Sequence, residues 1–181
     1  MTRVVLVPGA LALLPSYGGL EDPVADLRAA CLDAVRWLGA DPRVVAGAQG
    51  ATVATYLATE VSRLPSRLAS SHLRTSASLA PQPSSDGVLF VANGSAKRTE
   101  KAPGHLDDRA MAFDDALRAA LLAGDLGDLD EELARELWAD VDSLVRLGQE
   151  IDVDPASVQV DYDDDPYGVQ YWVMRMEGRW R

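Results

Sequence analysis

The chain of 181 residues has one cysteine, two histidines and two phenylalanines, and no apolar run long enough to cross a bilayer. Cys31 alone excludes an internal disulfide. Its setting, LRAACLDAV, places it on the apolar side of a helix, as a small buried hydrophobe in a reducing compartment. The scarcity of histidine confines imidazole chemistry to His72 and His105. Positive charge is also short: 17 Lys and Arg against 28 Asp and Glu leave a formal charge of −11. A surface of that sign repels a nucleic-acid duplex or an anionic membrane, so neither is expected as a partner. The opening MTRVVLVPGALALLP imitates a signal peptide, but Pro8-Gly9 breaks the apolar run and no small-residue cleavage pattern follows. The expectation is a buried strand in a cytoplasmic protein.

What is present is a regular alternation of short apolar runs and helical stripes. Arg3 to Val7 is a β-branched run stopped by Pro8-Gly9. Val24, Leu27, Cys31, Ala34, Val35 and Leu38 then recur at helical spacing, with Pro23 at the start and Gly39 as the stop. A second strand is expected in Arg43 to Gly50. Val53, Tyr56, Leu57, Val61 and Leu64 mark a second helix, and Val88 to Ala92 a third strand. Leu117 and Leu121 lie in a third helix, and a single further helix is expected from about Asp130 to Gly148, with acids at its start and Arg146 near its end. SVQVDY and GVQYWVMRM alternate as two strands around a turn at Asp165-Pro166-Tyr167-Gly168. The order predicts an α/β fold: a single layered domain over residues 1–181, with a central mostly parallel or mixed sheet flanked by helices. Residues about 65–86, rich in Ser and Pro, read as a long surface connection.

In such a sheet, ligands sit beyond the carboxyl ends of the strands. Those ends carry Gly9, then Gln49 and Gly50, then Asn93 and Ser95, with Lys97 and Arg98 following. Gly9, Gln49, Gly50, Asn93, Ser95 and Lys97 are therefore the candidate ligand-binding residues. Gly50 near a helix start, with Lys97 and Arg98, also suits an anion- or nucleotide-binding module. Against it, there is no Walker spacing, and GAQGAT lacks the dinucleotide glycine pattern. Asp161, Asp163 and Asp165 resemble the start of a calcium loop, but Pro166 and Trp172 stand where an EF-hand needs glycine and a bidentate glutamate. No G-x-S-x-G elbow is present. His105, behind Pro103-Gly104 and beside Asp107 and Asp108, is the candidate catalytic residue, as one half of a His-carboxylate pair. The plainer reading is a loop histidine before a helix that starts near Asp108 and is capped by Asp107.

These segments carry a family likeness. VLFVANGSAKRTEKAPGHLDDRAMAFDDALRAALLAGD, then ARELWADV, then YDDDPYGVQYWV resemble the actinobacterial branch of the LigB-like family, the class III extradiol ring-cleavage dioxygenases. The likeness is closest from Gly87 to Val173 and looser from Arg3 to about Leu64. It implies a layered α/β domain, association into dimers, and in active members a non-haem Fe(II) held by two histidines and a carboxylate, with open positions for catechol and oxygen. A further histidine acts there as acid/base.

This chain departs from that pattern. Where the family has a histidine beside proline after the first strand, it has Gly9, Ala10 and Leu11; AGAQGAT after the second strand has none. Ser95, Lys97 and Arg98 occupy the stretch of the acid/base histidine, and His105 falls several residues later. The chain is also shorter than the family pattern between its second and third strands. The expectation is a protein without metal or cofactor that has lost ring cleavage and binds a small molecule or a protein partner, as a homodimer if it follows its relatives. The alternative is an Fe(II) enzyme opening a catecholic ring. Tyr171, Trp172 and Trp180 give the last strand aromatic surface for a dimer, although Trp172 is expected to pack under the sheet.

Overall fold

Three parallel strands form one half of the sheet: β1 (Thr2–Val7), β2 (Arg43–Val45) and β3 (Val88–Val91), in the order β2-β3-β1. The other half is antiparallel. The ten-residue strand β6 (Tyr171–Trp180) pairs with β1 along one edge and with β4 (Ile151–Val153) and β5 (Gln159–Asp164) along the other. The sheet is thus mixed, as expected. A computed structural model describes residues 1–17, 22–39, 41–63 and 87–181; the Ser/Pro-rich connection and His72 lie outside the described residues.

Alternation along the central strands feeds two cores. Val4 and Leu6 of β1, Val88 and Phe90 of β3, and Trp172 and Met174 of β6 point to one face. Val5 and Val7, Leu89 and Val91, and Tyr171 and Val173 point to the other. Both faces are covered, so β1 and β3 need no polar side, and their uninterrupted apolar runs follow. Helices α1 (Ala25–Leu38) and α2 (Ala48–Arg63) cover the second face. Helices α3 (Ala110–Ala123), α4 (Glu131–Glu136) and α5 (Asp142–Glu150) cover the first. The stripe read from α1 is buried throughout, Cys31 included, and Gly39 ends the helix at φ 101°. No helix of the described residues is long and apolar enough to cross a membrane.

The structure corrects several boundaries. The second strand stops at Val45, and Ala48 to Gly50 already belong to α2. The helix expected from Asp130 to Gly148 is two. Asp130 caps the first by accepting the Leu133 amide at 2.9 Å, and Trp138, at φ 58°, ends it. The Trp138 and Ala139 amides turn back to the Arg135 and Ala134 carbonyls, a left-handed helix stop that usually recruits glycine. The cause lies in the loop after β3: the Ala96 amide takes the Leu137 carbonyl and the Asn93 amide takes that of Asp140, both at 3.0 Å. Helix α3 starts at Ala110, later than expected, with Asp107 accepting the Arg109 amide at 3.0 Å just ahead of it. Strand β4 was not foreseen. Tyr171 and Trp172 are both buried, which leaves Trp180, under the Arg43 guanidinium, as the exposed aromatic of β6.

Candidate functional site

The parallel strands deliver Gly9, Gln49 and Asn93 to one place, the crevice at their carboxyl ends. Asn93, two residues past β3, accepts the Gly9 amide on its Oδ1 at 2.9 Å. From the first turn of α2, the Gln49 Nε2 donates to the Gly9 carbonyl at 2.7 Å. The Gly9 residue is therefore held from both sides by carboxamides 40 and 84 positions away. Gly50 lies deeper: a Cβ there would stand 2.8 Å from Cγ1 of Val91, so its glycine serves the seating of α2 on β3. The first intrahelical bond of α2 runs from the Ala51 amide to the Gly47 carbonyl, which leaves the preceding amides for the crevice or for solvent.

Asp140 closes the far side. The bridge between Asn93 and Asp140 fixes its backbone, and its Oδ2 lies 3.9 Å from the position a Gly47 Cβ would take. Burial, and secondarily the Asp142 carboxylate, raise the Asp140 carboxyl above its ordinary value. Among the described residues it accepts no side-chain hydrogen bond and pairs with no cation. The strand ends therefore bring together, among the described residues, the half-buried Asp140 carboxylate, the half-buried Asn93 carboxamide and glycine backbone.

Ser95 and Lys97 leave the crevice. Ser95 is fully buried, its amide on Asp114 Oδ1 at 2.8 Å and its hydroxyl on Oδ2 at 2.5 Å. Arg98 extends the cluster, donating to Asp114 at 3.1 Å and to Asp165 at 2.6 Å. Burial raises the Asp114 carboxyl, against the opposing pull of Ser95 and Arg98. Burial also works against the Arg98 charge, but the Asp165 and Asp114 bonds outweigh it and raise that group. The Lys97 ammonium lies over the Trp138 ring, 5.5 Å from its centre, and its stem passes Gly104 so closely that a Cβ there would meet Cγ at 2.6 Å.

His105 is exposed, at φ 59°, with its amide on the Ala102 carbonyl. The Asp107 carboxylate belongs to Arg109, which donates to it from Nε and Nη2 at 3.0 and 2.8 Å and holds it down at about 2. No His105-carboxylate pair is formed among the described residues. Asp161, Asp163 and Asp165 are taken by Arg175 of β6, Arg118 of α3 and Arg98 of the loop after β3 respectively, so the acidic run is a set of ion pairs that ties β5 and its turn to their neighbours.

Sequence reasoning missed Asp114, Asp140 and Trp138. Asp114 had a readable signal, since it sits on the α3 stripe of Ala110, Phe113, Leu117 and Leu121, where an acid demands a buried partner. Asp140 and Trp138 had none: they lie in ARELWADV, which scans as continuous helix.

The donor set of the crevice does not fit the iron site of the resembled family. Two carboxamides are engaged with Gly9, one carboxylate remains, and no imidazole of the described residues sits at the strand ends. Fe(II) of that class requires two histidines beside its carboxylate. Compared with family models, with curated proteins and with solved structures, the chain shows no significant match.

Proposed function

We propose that the chain is a cytoplasmic small-molecule-binding protein on a scaffold like that of the class III extradiol dioxygenases, working without the ring-cleavage iron. One observation carries the reading: Gln49 and Asn93 hydrogen-bond Gly9 from two sides at the strand ends, where the Asp140 carboxylate lies beside Gly47. A carboxamide and an uncommitted carboxylate beside glycine backbone suit a small neutral molecule that carries both hydrogen-bonding types. An anion is disfavoured, because Asp140 occupies the ground beside the start of α2 where an anion would sit. Lys97 and Arg98 are engaged elsewhere, on Trp138 and on Asp114 and Asp165.

The test has two arms. Protein exposed anaerobically to Fe(II), desalted and given catechols in air is expected to retain no stoichiometric iron and to consume no oxygen; iron with oxygen uptake would establish the ring-opening alternative. Thermal-shift screening with neutral amides and polyols is expected to find stabilisation that Asp140→Ala and Asn93→Ala abolish. Stabilisation by orthophosphate, lost in Lys97→Ala, would favour the anion-binding reading instead. A homodimer follows from the family likeness alone, and sedimentation of the same samples reads it directly.

A further inference from the structure

Helix α3 has a second row of small residues that its core stripe does not use. Ala112, Ala116 and Ala120 recur every four residues, the first two exposed and the third half-buried, and Leu129, ahead of α4, and Leu133, within it, line the same groove. Between the two lies an open groove of about 670 Å³, with Phe113 and Leu117 at its floor. From Asp108 to Ala120 it runs roughly 18 Å at helical rise, about three helical turns. Alanines on one wall let a second backbone come close, at the short end of helix-helix separations.

The rim sets the sign of the occupant. Asp108, Asp125, Asp128 and Asp130 border the groove, and none of these carboxylates is paired with an Arg or Lys among the described residues. The one cation at the rim among the described residues, Arg109, is held by Asp107 and Glu136 at 2.8 and 2.7 Å. Asp161, Asp163 and Asp165, by contrast, have arginine partners, so the four rim carboxylates leave this edge with net negative charge. A second copy of a chain of charge −11 is a poor occupant for an acidic rim.

We infer that this groove docks an amphipathic helix from a partner protein, with apolar residues at i and i+4 against the α3 alanines and Lys or Arg along both flanks. The inference goes beyond the crevice and does not rest on the ligand proposed for it.

The full chain is titrated with two synthetic peptides of about sixteen residues, each with a single leucine stripe, one with Lys and one with Glu at the remaining positions. The Lys peptide is expected to bind, more weakly as salt rises, and to shift the amide resonances of residues 108–120 and 128–133. Ala116→Arg, which fills the groove and adds a positive charge at an exposed position, should weaken it by roughly tenfold or more. Asp33→Asn, which removes one acid from α1 across the sheet, should leave it unchanged. Asp125→Asn with Asp128→Asn is the companion variant, expected to weaken binding without touching the apolar wall. Equal binding of the Glu peptide, equal binding by Ala116→Arg, shifts mapped to another face, or no binding of the Lys peptide would each overturn the inference. Concentration-dependent self-association lost in Ala116→Arg would overturn it in favour of a second copy.

Discussion

The carboxylate of Asp114 clasps Ser95 at two points, backbone amide at 2.8 Å and hydroxyl at 2.5 Å, from a helix 19 positions further along the chain. Both residues are buried, and Arg98 closes the cluster from the solvent side. The clasp fixes the loop after β3, and that loop carries Asn93 into the crevice. The Gly94 amide on the Gln170 carbonyl and the Gln170 amide on the Ser95 carbonyl, at 2.9 and 3.0 Å, tie the same loop to the start of β6.

Replacing Asp114 by alanine leaves the Ser95 amide and hydroxyl without partners and takes one carboxylate from Arg98. A loss of about 3–5 kcal/mol is expected, the scale for breaking a buried charged pair. Asp114→Asn keeps the shape and part of the hydrogen bonding and should lose less. Urea unfolding followed by circular dichroism orders the two; equal stability of Asp114→Ala and the parent would refute the clasp.

Gly94→Ala is the steric counterpart. Its Cβ would stand 2.6 Å from Asp114 Oδ1, 2.7 Å from Cβ of Gln170 and 2.9 Å from Cη2 of Trp172. These neighbours are buried, so the backbone must shift, at a cost of about 1–3 kcal/mol or more. Gly47→Ala, where a Cβ meets nothing nearer than Asp140 at 3.9 Å, should change stability much less. Comparison of the two melting temperatures checks the difference.

Asp140 makes stability depend on pH. Its carboxyl is raised in the folded chain, by burial first and by Asp142 second. Below the ordinary carboxylate range, folded and unfolded chains both carry the proton and no effect arises. As pH rises through the window between the ordinary and the raised value, the unfolded chain gives up its proton first, and the folded chain loses stability. Asp140→Asn should therefore match the parent in acid and exceed it at neutral pH. Carboxyl resonances followed by NMR should show Asp142→Asn lowering the Asp140 titration. An Asp140 titration at or below that of an exposed aspartate would contradict the burial argument.

Much of the fold was legible because burial imposes short periods on the chain. Arg3 to Val7 read as a buried strand and Val88 to Ala92 as a third strand, and their alternate apolar residues do feed the two cores. The α1 stripe and the Asp165–Gly168 turn, closed by the Gly168 amide on the Asp165 carbonyl at 2.8 Å, were equally local. The candidate crevice was legible in part. Gly9, Gln49 and Asn93 follow from the rule that parallel strands gather their carboxyl ends, whereas the departure of Ser95 and Lys97 depends on partners distant in sequence.

What the sequence by itself determined is most of the strands and helices, their α/β class and the acidic, histidine-poor character of the chain. Each of these depends on residue identity or on neighbours within a few positions. The tertiary structure alone decided that the helix through Trp138 breaks, because the loop after β3 takes the Leu137 and Asp140 carbonyls. It alone decided that Asp140 lies beside Gly47, that Asp114 takes Ser95 as its partner, and that four aspartates gather along one apolar groove. Those outcomes depend on which hydrogen-bond donors and charges arrive from far along the chain, and no local period records them.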